Sequence, residues 1–395
     1  MSGLQLNPKW AKLPLFARKG WTHLPFGEIA ENIRESVIPT PADSAYYIGL
    51  EHMDTGALHV RRWGSEADLK GQKLRMRKGD ILFAKRNAYL RRVAIAPHDG
   101  LFSAHGMILR AKKNVVLPEF LPFLMMSDEF MARAEKISVG SLSPTINWTT
   151  LKREEFDLPP LAQQHRIAEI LWALEKVVCN SEDSLSSMES SMNAFVSSLT
   201  DEKATVKWRS RPLVDCVDIV SGQVDPKNSP YNSMFLIAPN HIEQGSGQLL
   251  GRETAAQQNA ISGKYLFEAG DVVYSKIRPN LRKCFIANFP GLCSADMYAL
   301  RPKPTMIQAR YLLAILLGEY FTSFAISRCV RTGIPKINRI ELAEYVIPIP
   351  DISEQGIVCD QLSRFDIALI TTRKYIQDLR QVNTSLLRIV FGDTS

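Results

Sequence analysis

The chain has 395 residues, 45% of them apolar, with 22 Gly, 22 Pro and a formal net charge of +7 from 48 Lys and Arg against 41 Asp and Glu. Ordinary hydrophobicity at that length excludes a disordered chain, a collagen-like chain and a disulfide-stapled mini-protein, and predicts two or more globular units with real cores. A charge of +7 only weakly favours a polyanionic partner.

In chain order, the first local signal is the Gly79-Asp80 turn, opening a short alternating strand predicted over Asp80–Ala84. It runs into a basic, aromatic and amide-rich segment, Lys85-Arg86-Asn87-Ala88-Tyr89-Leu90-Arg91-Arg92. Further on, Gly140-Ser141-Leu142-Ser143-Pro144-Thr145-Ile146-Asn147 reads as a tight loop before a short helix around Leu151. After Leu158-Pro159-Pro160, apolar residues recur at Ile167, Leu171, Leu174, Val178, Leu185, Met188, Met192, Phe195 and Leu199, a 4-3 heptad spacing with only Ser181 out of character.

The pattern then starts again. At an offset of 191, Lys73–Lys112 laid on Lys264–Lys303 gives 15 identities in 40 ungapped positions, where ordinary residue frequencies give roughly two or three. The second copy repeats the Gly270-Asp271 turn, a strand over Asp271–Ser275, the basic segment Lys276-Ile277-Arg278-Pro279-Asn280-Leu281-Arg282-Lys283 and the loop Thr332-Gly333-Ile334-Pro335-Lys336-Ile337-Asn338. Upstream the register slips by two, setting Ile48, His52 and Gly56 against Ile237, His241 and Gly245. The second heptad seam holds Val358, Leu362, Phe365, Leu369, Ile376, Leu379, Leu386 and Val390, with Thr372 and Asn383 as polar interruptions of the kind that fix register. Two helices of about 33 residues would each run roughly 50 Å. Strict heptads, repeated, favour the helices packing on each other over each packing only on its own lobe.

Six cysteines, from Cys179 onward, form no Cys-x-x-Cys pair, which reads as reduced thiols in a cytoplasm and as neither a disulfide frame nor a zinc site. No signal peptide and no apolar run of membrane-spanning length is evident. Nucleotide-binding glycine loops, hydrolase elbows and metalloprotease motifs are missing, so neither a catalytic site nor a metal site is expected. Repeated His52 and His241 read first as structural hydrogen-bonding residues.

Arg and Lys neutralise phosphates, while Arg reads guanine and Asn reads adenine in the major groove. The matched positions Lys85/Lys276, Arg91/Arg282 and Arg92/Lys283 therefore fit phosphate positioning, and the unmatched Arg86/Ile277, Asn87/Arg278 and Tyr89/Asn280 fit different base readout. The two loops, with Ser141, Ser143 and Asn147 or Lys336 and Asn338, offer free backbone N–H groups for a phosphate. A solvated charge run and a structural turn are the plain alternatives. Net charge follows the same division: +6 over residues 1–162, −3 over 163–207, +4 over 208–352 and zero over 353–395.

The pattern Gly-x-x-x-Pro-x-Ile-Asn (two residues shorter in the second copy), a Leu about four residues on, then Leu-Pro-Pro-Leu-x-x-Gln before a long helix, occurring twice about 190 residues apart, closely resembles the specificity subunit of Type I restriction–modification systems. The resemblance spans essentially the whole chain. It implies an α+β fold with two tandem target-recognition domains, 1–162 and 206–352, each followed by a spacer helix, 163–205 and 353–395, the two helices forming an antiparallel coiled coil. It also implies a non-catalytic subunit that binds double-stranded DNA and docks two modification subunits, with restriction subunits as further partners. S-adenosylmethionine then belongs to the modification subunit, and this chain has no cofactor of its own. The first copy departs from the family's Glu-Gln helix start with Gln163-Gln164. The second keeps Glu354-Gln355 but has Asp351 where Pro is common. These positions read as helix caps. A duplicated protein-binding scaffold, an orphan DNA-binding protein and an enzyme with an unrecognised site are the rival readings.

Overall fold

The computed structural model describes residues 7–40, 46–64, 71–329 and 333–392. It packs as two compact units, Met1–Asp183 with Thr372–Ser395, and Ser184–Thr371. Each unit holds one globular lobe, the start of the long helix that follows that lobe and the end of the other long helix.

In the first lobe, an antiparallel sheet runs in the order Ala30–Ile33, Met107–Ala111, Ile81–Phe83 and Val93–Ile95. A second sheet orders Ser36–Val37, Lys73–Met76, Gly100–Ser103 and Tyr47–Ile48, with the last pair parallel. The second lobe repeats both sheets, with Val217–Ile219, Met297–Pro302, Val272–Ser275 and Cys284–Ile286 in one. The other adds Glu253–Thr254 at the edge beyond Phe235–Ile237. In each lobe the opening strand pairs with the strand just before the long helix, Thr22 with Leu158 and Arg209 with Ile349. Chain entry and exit are thereby zipped together, and the lobe closes as a module.

The Gly-Asp turn is a structural device in both copies. Gly79 and Gly270 take φ of +88° and +96°, a region where any side chain is strained. The Asp80 carboxylate accepts from Arg77 N and takes a two-toothed ion pair from Arg110 (2.5 and 2.9 Å). Asp271 does the same with Glu268 N and Arg301 (2.9 and 3.0 Å). Both acids are buried, so the paired guanidinium is what makes the buried charge tolerable.

The long helices are Leu161–Ser198 and Ile352–Phe391. The first stops at Ser198, short of the 163–205 expected for the spacer helix, and Asp201 then caps a separate short helix, Glu202–Lys207, by accepting from Ala204 N at 2.8 Å. Of the predicted seam residues, Ile167, Leu171, Val178, Leu199, Val358, Leu362, Leu369, Ile376, Leu379, Leu386 and Val390 are buried, and Leu174, Leu185, Met188, Met192, Phe195 and Phe365 half-buried. The helices run antiparallel. In the first unit Ile167, Ala168 and Leu171 share the lobe core with Leu386, Leu387 and Val390. In the second, Val196 and Leu199 share it with Val358 and Leu362, and the Phe195 and Phe365 rings lie 6.1 Å apart. The helices thus pack on each other and on the lobes at once.

Two glutamines anchor them. Buried Gln164 accepts from Leu117 N (2.8 Å) and donates to Val115 O (3.0 Å) and Pro159 O (2.9 Å). Buried Gln355 repeats this with Gln308 N, Met306 O and Pro350 O at 2.8, 2.9 and 3.0 Å. The residues before them are not caps, contrary to the sequence reading. Gln163 accepts from the Trp21 indole (3.2 Å), and Glu354 accepts from the Trp208 indole (2.9 Å). Either side chain supplies the oxygen, which explains the exchange. Asp351 is the cap, accepting from Glu354 N and Ser353 Oγ, both at 2.8 Å.

Within the first unit the helix pair buries Glu175 against Asn383, whose Nδ2 donates to Glu175 Oε1 at 2.8 Å. Burial, then the nearby Glu182 carboxylate, push the Glu175 carboxyl up to about 7, against the Asn383 hydrogen bond and Arg380. Asn383 Oδ1 is buried without a partner among the described residues.

Two outcomes follow. Gln355→Leu is expected to lower the unfolding free energy by about 3 kcal/mol or more, since it strands a buried N–H and two carbonyls, whereas Glu354→Gln costs under about 1 kcal/mol; urea titration distinguishes them. For Glu175, the unfolded carboxyl ionises near its usual value and the folded one only near 7, so stability is fully present below the usual Glu range and falls as pH rises toward and through 7. Glu175→Gln should remove that fall and stabilise the protein at pH 8 by up to roughly 3 kcal/mol, read from denaturation midpoints between pH 4.5 and 8.

Candidate nucleic-acid interface

The two segments singled out in each copy lie side by side. In the first lobe Asn87 N donates to Pro144 O (2.8 Å) and Ile146 N to Lys85 O (3.0 Å), bridging Arg86 to Thr145. In the second, Arg278 N donates to Pro335 O (2.8 Å) and Ile337 N to Lys276 O (3.0 Å), bridging Ile277 to Lys336. Thr332, which opens the second loop, lies outside the described residues. The basic segment then makes one turn of 3-10 helix, Ala88–Leu90 or Pro279–Leu281.

Left-handed residues flank each turn: Asn87 and Arg91 at φ of 55° and 50°, Arg278 and Arg282 at 48° and 47°. Asn87 tolerates that region, but Arg91, Arg278 and Arg282 are strained there. The same conformation held twice by different sequences, against strain at the arginines, marks a backbone kept for its use.

The side chains divide into exposed and committed ones. Tyr89, Ser141, Asn147, Arg278, Asn280 and Lys336 are exposed, and Lys85, Arg86, Asn87, Ser143, Lys276 and Arg282 half-buried. Arg91 is ion-paired with Asp128 (2.5 Å), which Arg388 on the second long helix also engages (2.8 Å). Those two hydrogen bonds, Arg388 foremost, hold the Asp128 carboxyl below its ordinary range against burial. Arg92 and Lys283, matched cations expected to position phosphates, instead donate to the carbonyls of Leu50 (2.6 Å) and Pro239 (2.7 Å). Asn338 caps the helix Arg339–Ala343, accepting from Ile340 N and Glu341 N at 2.9 Å. In the turns beside Leu50 and Pro239, His52 Nδ1 accepts from Gly49 N (2.9 Å) and His241 Nδ1 from Ala238 N (3.1 Å), so the repeated histidines are structural.

Three residues join the first site unforeseen: Arg34, Lys73 and His105. Burial and Arg34 lower the pKa of the Lys85 ammonium. Burial, then Arg86, Lys85 and Lys73, lower that of the His105 imidazole. The charges acting on these two groups are all positive, so an incoming anion meets concentrated positive potential. Lys73 carried a signal, being matched by Lys264. In the second lobe Arg339 and Lys276 lie over the Tyr298 ring, 5.7 and 5.3 Å from its centroid. Among the described residues no group of His, Cys, Asp and Glu could hold a metal ion.

A family model described as "Type I restriction modification DNA specificity domain" matches residues 58–185 and again 205–380. The chain belongs to this family. Family membership agrees with the duplicated lobes and paired helices described above. Among curated relatives, the Type I restriction enzyme EcoDI specificity subunit of Escherichia coli is 36% identical over 182 residues, 46% of this chain and 38% of that protein. The MjaVIII specificity subunit of Methanocaldococcus jannaschii is 20% identical over 311 residues, 72% of each chain. The match to the E. coli relative thus spans well under half of its length. The solved Type I S subunit from M. genitalium superposes with a TM-score of 0.59 at 15% identity over all of both chains. A chain from a structure describing assembly and conformational transition of the type I R-M system gives 0.57 at 20% identity, over 95% of this chain and 98% of that one. Both are likenesses of fold.

Arg92→Ala and Lys283→Ala should each lower stability by about 1–2 kcal/mol through loss of a charged hydrogen bond in a half-buried setting, measured by chemical denaturation. A purely DNA-facing role would leave the denaturation midpoint unchanged.

Proposed function

We propose that this chain is the DNA-reading subunit of a Type I restriction–modification complex in the cytoplasm, each lobe reading one half of an asymmetric bipartite site. In this reading residues 1–162 and 206–352 are the readers, and 163–205 and 353–395 are the spacer that sets the distance between half-sites and docks two modification subunits. The observation that carries it is a strained basic turn of the same backbone in both lobes, with different side chains at Arg86/Ile277, Asn87/Arg278 and Tyr89/Asn280. Equal backbones with unequal side chains suit two readers of unequal sequences. Methyl transfer from S-adenosylmethionine to adenine N6 then belongs to the modification subunits, and translocation and cleavage to restriction subunits. The E. coli relative is itself a specificity subunit by name, which supports the division of labour.

On duplex DNA, Arg282→Ala and Lys336→Ala should each weaken binding and reduce the slope of log K against log salt by about one. A scaffold that binds only proteins would show no such change. Purified chain with S-adenosylmethionine should methylate nothing and gain methylation when its modification subunit is added; methylation by the chain alone overturns the reading.

A further inference from the structure

Identity between the copies marks architecture, so a position that is equivalent in backbone but opposite in chemistry stands out. In the first lobe the ladder pairs Phe83 with Met107, and two residues further out the same register sets Lys85 opposite His105. In the second it pairs Tyr274 with Tyr298 and Ser275 with Met297, and continues to Lys276, whose N–H donates to Asp296 O at 3.0 Å. The turn before each is the same: His105 N donates to Ser103 Oγ at 3.3 Å, and Asp296 N to Ser294 Oγ at 3.2 Å. Both side chains are exposed. They stand directly beside the first residue of the basic segment, at the entrance to the strained turn.

Their surroundings differ in how many cations crowd them. His105 sits among Lys73, Lys85 and Arg86. Around Asp296 the position of Arg86 is taken by Ile277, and Lys276 directs its ammonium over the Tyr298 ring. Among the described residues Asp296 has no ion-pair partner. A lone carboxylate on a basic face repels phosphate. On DNA it finds a favourable partner in an exocyclic amino group, cytosine N4 or adenine N6 in the major groove. An imidazole flanked by cationic donors is matched to the opposite pattern, the O6 and N7 acceptors of guanine.

We propose that His105 and Asp296 are specificity-determining residues, His105 directing the first lobe to an acceptor-rich base edge and Asp296 directing the second to a base that carries an exocyclic amino group. This rests on the DNA-reading function proposed above. The test is selection of bound duplexes from a random-sequence pool by the full chain and by Asp296→Ala, His105→Ala and His105→Asp, with thermal melting to establish that each variant is folded. Wild-type chain should enrich a two-part motif. Asp296→Ala should lose, by roughly tenfold or more, the preference for A or C at one position in one part and leave the other part intact. His105→Ala should relax a single position in the other part, and His105→Asp should move that position toward A or C. Unchanged preferences in folded variants, or equal weakening of both parts, overturn the proposal. Failure of the wild-type chain to enrich any motif overturns the DNA-reading function itself, and the proposal with it.

Discussion

A single buried amide organises each half of this protein. Gln164 and Gln355 each accept one backbone N–H and donate to two carbonyls, and one of those carbonyls belongs to the proline ahead of the long helix. A side chain satisfied on three sides has one orientation, so the first turn of the helix is locked to the loop before the lobe's helical pair. Leu would fill the space but strand the backbone groups, and Glu would lack the donors. With the helix start fixed, its apolar seam is aimed along the lobe core and meets the end of the other helix there.

The helix pair adds a polar constraint to this apolar one. Asn383 reaches Glu175 across the pair, 208 residues back in the chain, and both are buried. An apolar seam alone tolerates sliding by a heptad, because one Leu resembles another. A buried amide opposite a buried carboxyl does not, since a slip would leave both unpaired.

Duplication separates architecture from reading. Residues identical in both copies proved mostly structural: the Gly-Asp turns with Arg110 and Arg301, the turn histidines and the anchoring glutamines. The matched cations Arg92 and Lys283 belong with them, because each closes a backbone carbonyl within its own lobe. The variable positions sit around the strained turns, where the backbone is constant and the side chains change.

Much of this was legible in the one-dimensional record. The repeat, the heptad seams, the family pattern and the pairing of fold class with two long helices are properties of period and identity, which need no knowledge of distant contacts. Which of the candidate site residues stay available was not legible. Arg91 is engaged by Asp128 and Asn338 caps its own helix, while Arg34, Lys73 and His105 gather beside Lys85 although their numbers are far apart. Nor could spacing show that Asn383 would meet Glu175, or that Lys85 and Lys276 would face a histidine and an aspartate. Periodicity fixes the face on which a residue lies, a local property of the backbone. Its partner is chosen only when the lobe closes and brings remote segments within hydrogen-bonding distance, and that selection belongs to the tertiary structure.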